Sequence, residues 1–142
     1  MMNKKGFTLV ELLAVIAIIG ILSLIAVPNV IGIVDDNKKN QMLDDAKKAI
    51  SLAKNKVNID SNIRDSDNHI FKLKDIDEKG DIKVDPDGGT YDINNSIIEY
   101  SHNNNVVTYC VKLIGSKRRV EKNNGCVNED ELNSKSNVVD NH

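Results

Sequence analysis

The strongest constraint on this chain is an apolar run near its N-terminus that begins beside a single carboxylate, Glu11. From Leu12 to Val27 every side chain is aliphatic or small except Ser23. Leu12 to Val34 is 23 residues, and such a helix is roughly 34 Å long, enough to cross a hydrocarbon core of about 30 Å. A charge at bilayer depth costs on the order of 3 kcal/mol, while each Leu, Ile or Val returns about 0.3–0.6 kcal/mol. The run therefore predicts a membrane helix, and we expect the Glu11 carboxylate beside it to be paired with a positive charge.

Glu11 acquires a partner if the chain is cut after Gly6. The new N-terminus is then the α-amino group of Phe7, which is cationic at neutral pH. Glu11 lies four residues further along, on about the same helix face. In a bundle of such helices, the amine of one chain can neutralise the carboxylate of the next, and a buried pair of this kind fixes register more than it stabilises. The segment predicts a helix that assembles with copies of itself or with related chains.

The stretch Lys4-Lys5-Gly6-Phe7-Thr8-Leu9-Val10-Glu11-Leu12-Leu13 resembles the class III signal peptide of type IV prepilins and type II secretion pseudopilins. This resemblance implies that a membrane prepilin peptidase cuts between Gly6 and Phe7 and N-methylates Phe7. It also implies that Glu11 pairs with the N-terminus of a neighbouring subunit. Pro28 would mark a bend or a locally unwound stretch of the helix.

The same resemblance implies partners and a location. The partners are other pilin subunits, the prepilin peptidase, a pilus assembly platform protein with its ATPase, and the membrane. The precursor would be a single-pass protein of the cytoplasmic membrane with an extracytoplasmic C-terminal domain, and the processed chain would reside in a cell-surface pilus. An ordinary secretory signal fits less well, because no small-x-small cleavage site follows the apolar run.

The resemblance implies a leader at 1–6, and the sequence pattern after it predicts an apolar helix half at 7–34, an amphipathic helix half at 35–57, a head domain at 58–132 and a polar tail at 133–142. The amphipathic half carries apolar residues at three- and four-residue spacing, which predicts one buried stripe: Met42, Ala46, Ala49, Ile50, Ala53 and Val57. We expect the tail to be loose, as polar chain termini often are.

The head domain combines one helical pattern with several β patterns. The spacing of Ile70, Leu73 and Ile76 predicts a short helix over 70–78 with these residues inward. Alternating or β-branched runs predict strands at 81–85, 90–93, 97–100, 106–113 and 118–121. The predicted fold class is α+β, with the long N-terminal helix packed on a small antiparallel β-meander. This architecture agrees with the pilin fold that the resemblance implies.

The only cysteines are Cys110 and Cys126, with fifteen residues between them. In a domain outside the cytoplasm a disulfide can persist, and closing a loop of this length contributes about 3 kcal/mol by the chain-entropy model. Two free thiols, or half of a metal site, are the alternatives. Many pilins close a C-terminal loop with a disulfide, so the resemblance favours pairing.

A calcium loop is a weaker candidate. Asp85-Pro86-Asp87-Gly88, with Asp92 and Asn94, offers several oxygen ligands, and some pseudopilins hold calcium in a comparable loop. However, Gly89 occupies the third ligand position of the Asp-x-Asp-x-Asp-Gly pattern. Asp, Pro and Gly are also the residues of a plain turn, so we predict no metal and no cofactor, with calcium near Asp85–Asp92 left as the alternative.

Other polar groups are interpreted as surface features. Lys117-Arg118-Arg119 with Lys122 fits a solvated hairpin tip, with contact to DNA phosphates as the alternative, although no aromatic residues interleave it. His69 and His102 stand alone in polar surroundings. No Gly-x-Ser-x-Gly, phosphate-loop or His-Glu-x-x-His pattern occurs. We therefore expect a substrate of the prepilin peptidase rather than an enzyme.

The function expected from these features is that of a structural subunit of a type IV pilus, as a minor pilin or pilin-like chain. A pseudopilin of a type II secretion or competence (DNA-uptake) system is one alternative, and a membrane-tethered adhesive or binding module is another. DNA or a host surface would be a further partner in those cases. The net charge of −2 becomes −4 without Lys4 and Lys5, which argues against bulk nucleic-acid binding by the whole domain.

Overall fold

A computed structural model describes residues 6–141, except for the side chains of residues 26–29. The leader residues 1–5, the side chain of Pro28 and the terminal His142 lie outside this description. The chain divides into two compact units, residues 1–36 and residues 37–142. Each unit is described separately below.

The first unit contains the start of helix α1, which spans Leu9–Ile59. Each described large apolar side chain from Phe7 to Val34 exposes between 44% and 84% of its surface. The hydroxyl of Ser23 donates to the carbonyl oxygen of Ile19 at 2.7 Å, so its polar group is satisfied within the helix. Among the described residues no single helix has the length and hydropathy of a membrane span, whereas the bent pair Leu9–Ile25 and Val30–Ile59 does, by length and composition alone.

In the second unit, the amphipathic part of α1 supplies one side of the hydrophobic core. The predicted stripe is confirmed, with one further residue, and all of its members are buried: Met42, Leu43, Ala46, Ala49, Ile50, Ala53 and Val57. Three of the seven are alanines, whose short side chains let the sheet approach the helix closely. Asp60 then caps the short helix α2, Ser61–Arg64, by accepting a hydrogen bond from the backbone N–H of Asn62 at 2.9 Å.

The other side of the core is an antiparallel sheet. Its strands are β1 (Asn68–Lys72), β2 (Ile97–Asn103), β3 (Val106–Ile114), β4 (Arg118–Val120), β5 (Val127–Asn128) and β6 (Val138–Asp140). Their order is β1-β2-β3-β4-β6, with β5 also paired to β3. Helix α3 (Leu73–Ile76) and two 3₁₀ turns, Glu129–Glu131 and Lys135–Asn137, complete the chain. A long N-terminal helix followed by an antiparallel sheet confirms the predicted α+β class and is consistent with the pilin fold.

Register places large apolar residues on the inner face of the sheet. Ile98 lies between Phe71 and Val111, and Tyr100 pairs with Tyr109. The two-residue turn of Asn104 (φ 50°) and Asn105 (φ 64°) sets the β2–β3 register. A second turn, Asn123 (φ 51°) and Asn124 (φ 62°), closes the bridge between Lys122 and Gly125. Asparagine tolerates this left-handed conformation better than most residues, and such turns match the twist of a hairpin.

The predicted helix over 70–78 is wrong. Residues 68–72 form strand β1, and helix α3 covers only Leu73–Ile76. Ile70 was expected to face inward but is 61% exposed, while its neighbour Phe71 is buried. This part of the chain follows the two-residue period of a strand, because pairing with β2 satisfies its backbone and buries Phe71 against Ile98.

The strands predicted at 81–85 and 90–93 are also wrong and reduce to one isolated bridge between Val84 and Thr90. The carboxylate of Asp77 explains part of this loss, because it accepts hydrogen bonds from the backbone N–H groups of Asp81 at 2.9 Å and Ile82 at 2.8 Å. Aspartate side chains compete in this way with a sheet ladder for backbone donors.

The tail from residue 133, up to the last described residue, 141, is not loose as predicted. Strand β6 pairs with β4, and Val138 is buried in the core. Side-chain amides anchor this segment further: Asn137 donates to the carbonyl of Glu131 at 2.9 Å, and Asn141 donates to that of Gly115 at 2.8 Å. One apolar pair in a polar stretch was enough to continue the sheet.

Candidate processing and assembly site

The predicted cleavage site lies immediately before α1. Gly6, Phe7 and Thr8 have irregular backbone, and the helix begins at Leu9. The side chain of Phe7 is 84% exposed. A peptide bond between Gly6 and Phe7 is thus free of helical hydrogen bonds, which leaves its backbone available to a protease.

Thr8 and Glu11 form a reciprocal cap at the start of α1. The carboxylate of Glu11 accepts hydrogen bonds from the backbone N–H of Thr8 at 2.8 Å and from the Thr8 hydroxyl at 2.9 Å. In return, the backbone N–H of Glu11 donates to the Thr8 hydroxyl oxygen at 3.3 Å. This is a capping box, which satisfies two backbone donors that a helix start leaves without partners. Its signature, Thr-x-x-Glu, is legible in the sequence but was missed there.

The capping box gives Glu11 a role within its own chain. The sequence predicts only that the Glu11 carboxylate pairs with an amine. In the uncut chain, however, the nitrogen of Phe7 is an uncharged amide. The ion pair between Phe7 and Glu11 therefore stays a prediction for the processed chain. So does the assembly role of Pro28.

We expect Thr8→Ala to loosen the first turn of α1, because it removes the hydroxyl from both side-chain bonds of the box. Loss of such a cap costs about 1 kcal/mol. Amide hydrogen exchange of the full chain in detergent micelles should be about fivefold faster at residues 9–11. Thr8→Ser keeps the hydroxyl and should exchange like the original chain. Equal exchange in Thr8→Ala would mean that the box does not stabilise the helix start.

Comparison with known families identifies the class of this segment. Residues 1–27 match the family model described as the prokaryotic N-terminal methylation motif. This motif is the class III signal peptide of type IV pilins and pseudopilins. The chain carries that signal, and a search of curated proteins and a search of solved structures each gave no match.

The motif and the fold together support a type IV pilin-like or pseudopilin chain. The motif implies a membrane-anchored precursor and pilus assembly, and it suggests processing by a peptidase and association with other pilin subunits.

The calcium candidate at Asp85–Asp92 is a hydrogen-bonded turn whose carboxylates already have protein donors. Buried Asp85 accepts from the backbone N–H groups of Asp87 at 2.9 Å, Gly89 at 3.0 Å and Ser116 at 2.5 Å. Gly89 is required there, because a Cβ at that position would lie 2.5 Å from the Cβ of Ser116. Asp92 likewise accepts from the backbone of Asn94 and Asn95, each at 3.1 Å.

Acid is expected to destabilise the second unit through Asp85. Burial by itself raises the pKa of this carboxyl, but hydrogen bonds from Ser116, Gly89 and Asp87 outweigh burial and hold the pKa below its usual value. Because the folded pKa lies below the unfolded one of about 3.9, the stabilisation is complete above that pH and is lost as the pH falls through the folded pKa.

The test compares urea unfolding of the full chain in detergent at pH 7 and pH 3. Asp85→Asn should lower the free energy of unfolding at pH 7 by about 1–3 kcal/mol and should lose less on acidification than the original chain. Exposed Asp130→Asn is the control and should change neither value. Equal acid sensitivity of Asp85→Asn and the original chain would contradict this assignment.

Cys110 and Cys126 form a disulfide with a Cα–Cα distance of 5.4 Å, as the resemblance favoured. Cys110 lies in β3, and Cys126 immediately precedes β5, which pairs with β3. The bond therefore reinforces a contact that the sheet also makes. Both cysteines are bonded in this form of the chain, and none of the described residues is a free cysteine.

Three of the four residues of the basic cluster have acidic partners within the chain, and the interpretation as a solvated tip is wrong for Arg118. That residue is 8% exposed, and its guanidinium donates to Asp87 from Nε at 2.6 Å and from Nη2 at 3.0 Å. Arg119 lies 3.5 Å from Glu121, and Lys122 pairs with Glu131. These three pairs reduce the positive charge that the cluster offers to DNA phosphates, and Lys117, the fourth member of the cluster, is exposed.

Three further features were not found from the sequence alone. The hydroxyl of Tyr91 donates to the carboxylate of Asp45 at 2.7 Å and so joins α1 to the Asp85 turn. Burial raises the pKa of Asp45, and the bond from Tyr91 offsets part of that rise. Lys38 also reaches Asp87 at 3.3 Å. His69 and His102, predicted as surface residues, are half-buried, and His69 packs edge-on against Phe71.

Proposed function

We propose that this chain is a structural subunit of a type IV pilus, as a minor pilin or pilin-like protein. In this proposal the prepilin peptidase cuts between Gly6 and Phe7 and N-methylates Phe7. The observation that carries the proposal is the methylation motif at residues 1–27, together with the first part of α1, whose described large apolar side chains up to Val34 are exposed. Such a surface needs either lipid or other helices around it.

Assembly would bury this surface between subunits. Lipid is as apolar as these side chains, so close packing between the helices, rather than removal from water, would be the main driving force. Small residues at Ala14, Ala17 and Gly20 let neighbouring helices approach closely. The amine of Phe7 would then pair with Glu11 of an adjacent subunit and fix the register. A platform protein and its ATPase would move subunits between membrane and filament.

In this proposal the second unit is the extracytoplasmic head and the chain is a substrate rather than an enzyme. A pseudopilin of a type II secretion or competence system is the second candidate, because the same motif occurs in pseudopilins. A tethered adhesive module is less favoured, since such a module has no need of the methylation motif. DNA binding is not favoured by the internally paired basic cluster.

Purification of surface filaments, followed by mass spectrometry of this chain, tests the proposal. The expected N-terminus is methylated Phe7, with Cys110 and Cys126 linked. Abundance relative to other subunits distinguishes a minor from a major pilin. Recovery only from the periplasmic or membrane fraction would favour the pseudopilin, and a chain that still begins at Met1 would refute processing.

A further inference from the structure

Three potential metal ligands meet on the outer face of the sheet. They are Glu99 of β2, Cys110 of β3 and Cys126, and their ligand atoms all lie within 4.8 Å of one another. Glu99 and Cys110 are directly opposite in the β2–β3 register. All three side chains are half-buried, so an ion and a water molecule could reach them from solvent.

The carboxylate of Glu99 is not explained by the fold. One of its oxygens lies 3.7 Å from the sulfur of Cys110, but a disulfide sulfur has no proton to donate. Among the residues that the structure describes, none forms a salt bridge with Glu99 or donates an N–H or O–H group to it. The Glu99 carboxylate thus faces two sulfur atoms, with no salt bridge to a cation of the described residues.

The sheet holds both cysteines in place independently of the bond between them. Cys110 pairs with Asn128 and Val111 pairs with Val127 in the β3–β5 ladder, and the side chain of Val127 is fully buried. The turn before Cys126 is closed by two backbone hydrogen bonds between Lys122 and Gly125, at 2.9 and 3.2 Å. Reduction would therefore leave two thiols close together and beside the carboxylate.

We propose that the dithiol form of this cluster is a site for one divalent zinc ion, held by two thiolates and the Glu99 carboxylate, with water in the fourth position. Cysteine sulfur and carboxylate oxygen are both zinc ligands, and a tetrahedral site with three protein ligands leaves one position open. Thiolates select zinc over harder cations such as magnesium or calcium.

The balanced reaction has two steps. A dithiol reductant gives two electrons and two protons to the disulfide, so its own thiols become a disulfide and the chain gains two thiols. Zinc then replaces the two thiol protons, which leave to solvent. The oxidised and metal-bound forms are mutually exclusive, since the same sulfur atoms serve both. Zinc would thus protect the reduced chain from reoxidation.

Cobalt(II) is a suitable probe, because its thiolate complexes absorb in the near ultraviolet and its tetrahedral complexes absorb in the visible. The full chain in detergent micelles is reduced with a phosphine and titrated with cobalt, then with zinc as competitor. We expect one ion per reduced chain and no such absorption from the oxidised chain. Glu99→Gln keeps both cysteines and should bind cobalt at least about tenfold more weakly.

Glu78→Gln is the matched control, because it removes an exposed carboxylate whose partner is Lys56. It should bind cobalt as the original chain does. Circular dichroism of each reduced chain establishes that the sheet persists. A folded, reduced chain without the thiolate absorption, or a Glu99→Gln chain with unchanged affinity, would overturn the proposal.

Discussion

Glu11→Gln is expected to be cut normally but to enter filaments at least about tenfold less than the original chain. Glutamine can replace glutamate in a capping box, so the start of α1 should be preserved. What disappears is the charge that would neutralise the Phe7 amine of a neighbouring subunit. An unpaired amine in apolar surroundings costs several kcal/mol, and about 1.4 kcal/mol is a factor of ten in an equilibrium.

The measurement is the ratio of this chain to other subunits in purified filaments, with the membrane level of processed chain as the reference. Asp44→Asn is the control, because Asp44 is exposed and its partner is Lys47 at 3.6 Å. It should enter filaments normally. Normal incorporation of Glu11→Gln would contradict assembly through this charge pair.

Glu11→Gln and Thr8→Ala separate the two roles of the carboxylate. Thr8→Ala weakens the cap and keeps the charge, whereas Glu11→Gln keeps the cap and removes the charge. If assembly depends on the charge pair, Glu11→Gln should show the larger defect in filaments. If it depends on helix order, the ranking should reverse.

Arg118→Ala is expected to have the largest effect on the stability of the second unit. The side chains of Arg118 and Asp87 are only 9% and 2% exposed, and two hydrogen bonds join them. Removing one partner of a buried pair costs roughly 3–5 kcal/mol, since the other charge stays buried. Lys38, 3.3 Å from Asp87, should hold the loss near the lower end of that range.

Urea unfolding of the full chain in detergent measures this loss. Arg64→Ala is the control, because Arg64 is 55% exposed beside Asp65 and should change the free energy of unfolding by less than about 0.5 kcal/mol. Arg118→Lys should recover only part of the stability, since lysine lacks the two-pronged geometry of the guanidinium. An Arg118→Ala chain as stable as Arg64→Ala would contradict the assigned role.

The periodicity of apolar residues predicted the buried faces of those elements that follow one repeating pattern. The apolar stripe of α1 and the strands around Val111 repeat over several turns or pairs, so their buried faces were legible in the sequence. The helix predicted over residues 70–78 was wrong because Ile70, Leu73 and Ile76 have helical spacing. The contact that decides the structure, Phe71 with Ile98, comes from a strand distant in the sequence. The prediction of a loose tail was wrong for the same reason, because the burial of Val138 depends on pairing with β4.

The candidate site was predicted from its sequence motif. The features that were missed are contacts between residues distant in the sequence and the reciprocal hydrogen bonds of the capping box. Gly6, Phe7 and Glu11 follow a short pattern that needs no tertiary structure. Arg118 and Asp87 are 31 residues apart, and the sequence predicted a solvated hairpin tip for Arg118 and a turn for Asp87, with a calcium loop as the alternative. Nothing in a single sequence indicates which of many acidic residues a given arginine will meet.

The bond between Thr8 and Glu11 has a consequence for reversibility in the proposed filament. A subunit in lipid holds its carboxylate against its own backbone, and a subunit in the filament turns it to another molecule's amine. Joining and leaving are then exchanges of one acceptor, the Glu11 carboxylate, between uncharged donors of its own chain and the charged amine of a neighbour. The balance between growth and withdrawal would rest on this charge pair together with the fit of the aliphatic surfaces, and a motor could shift it in either direction.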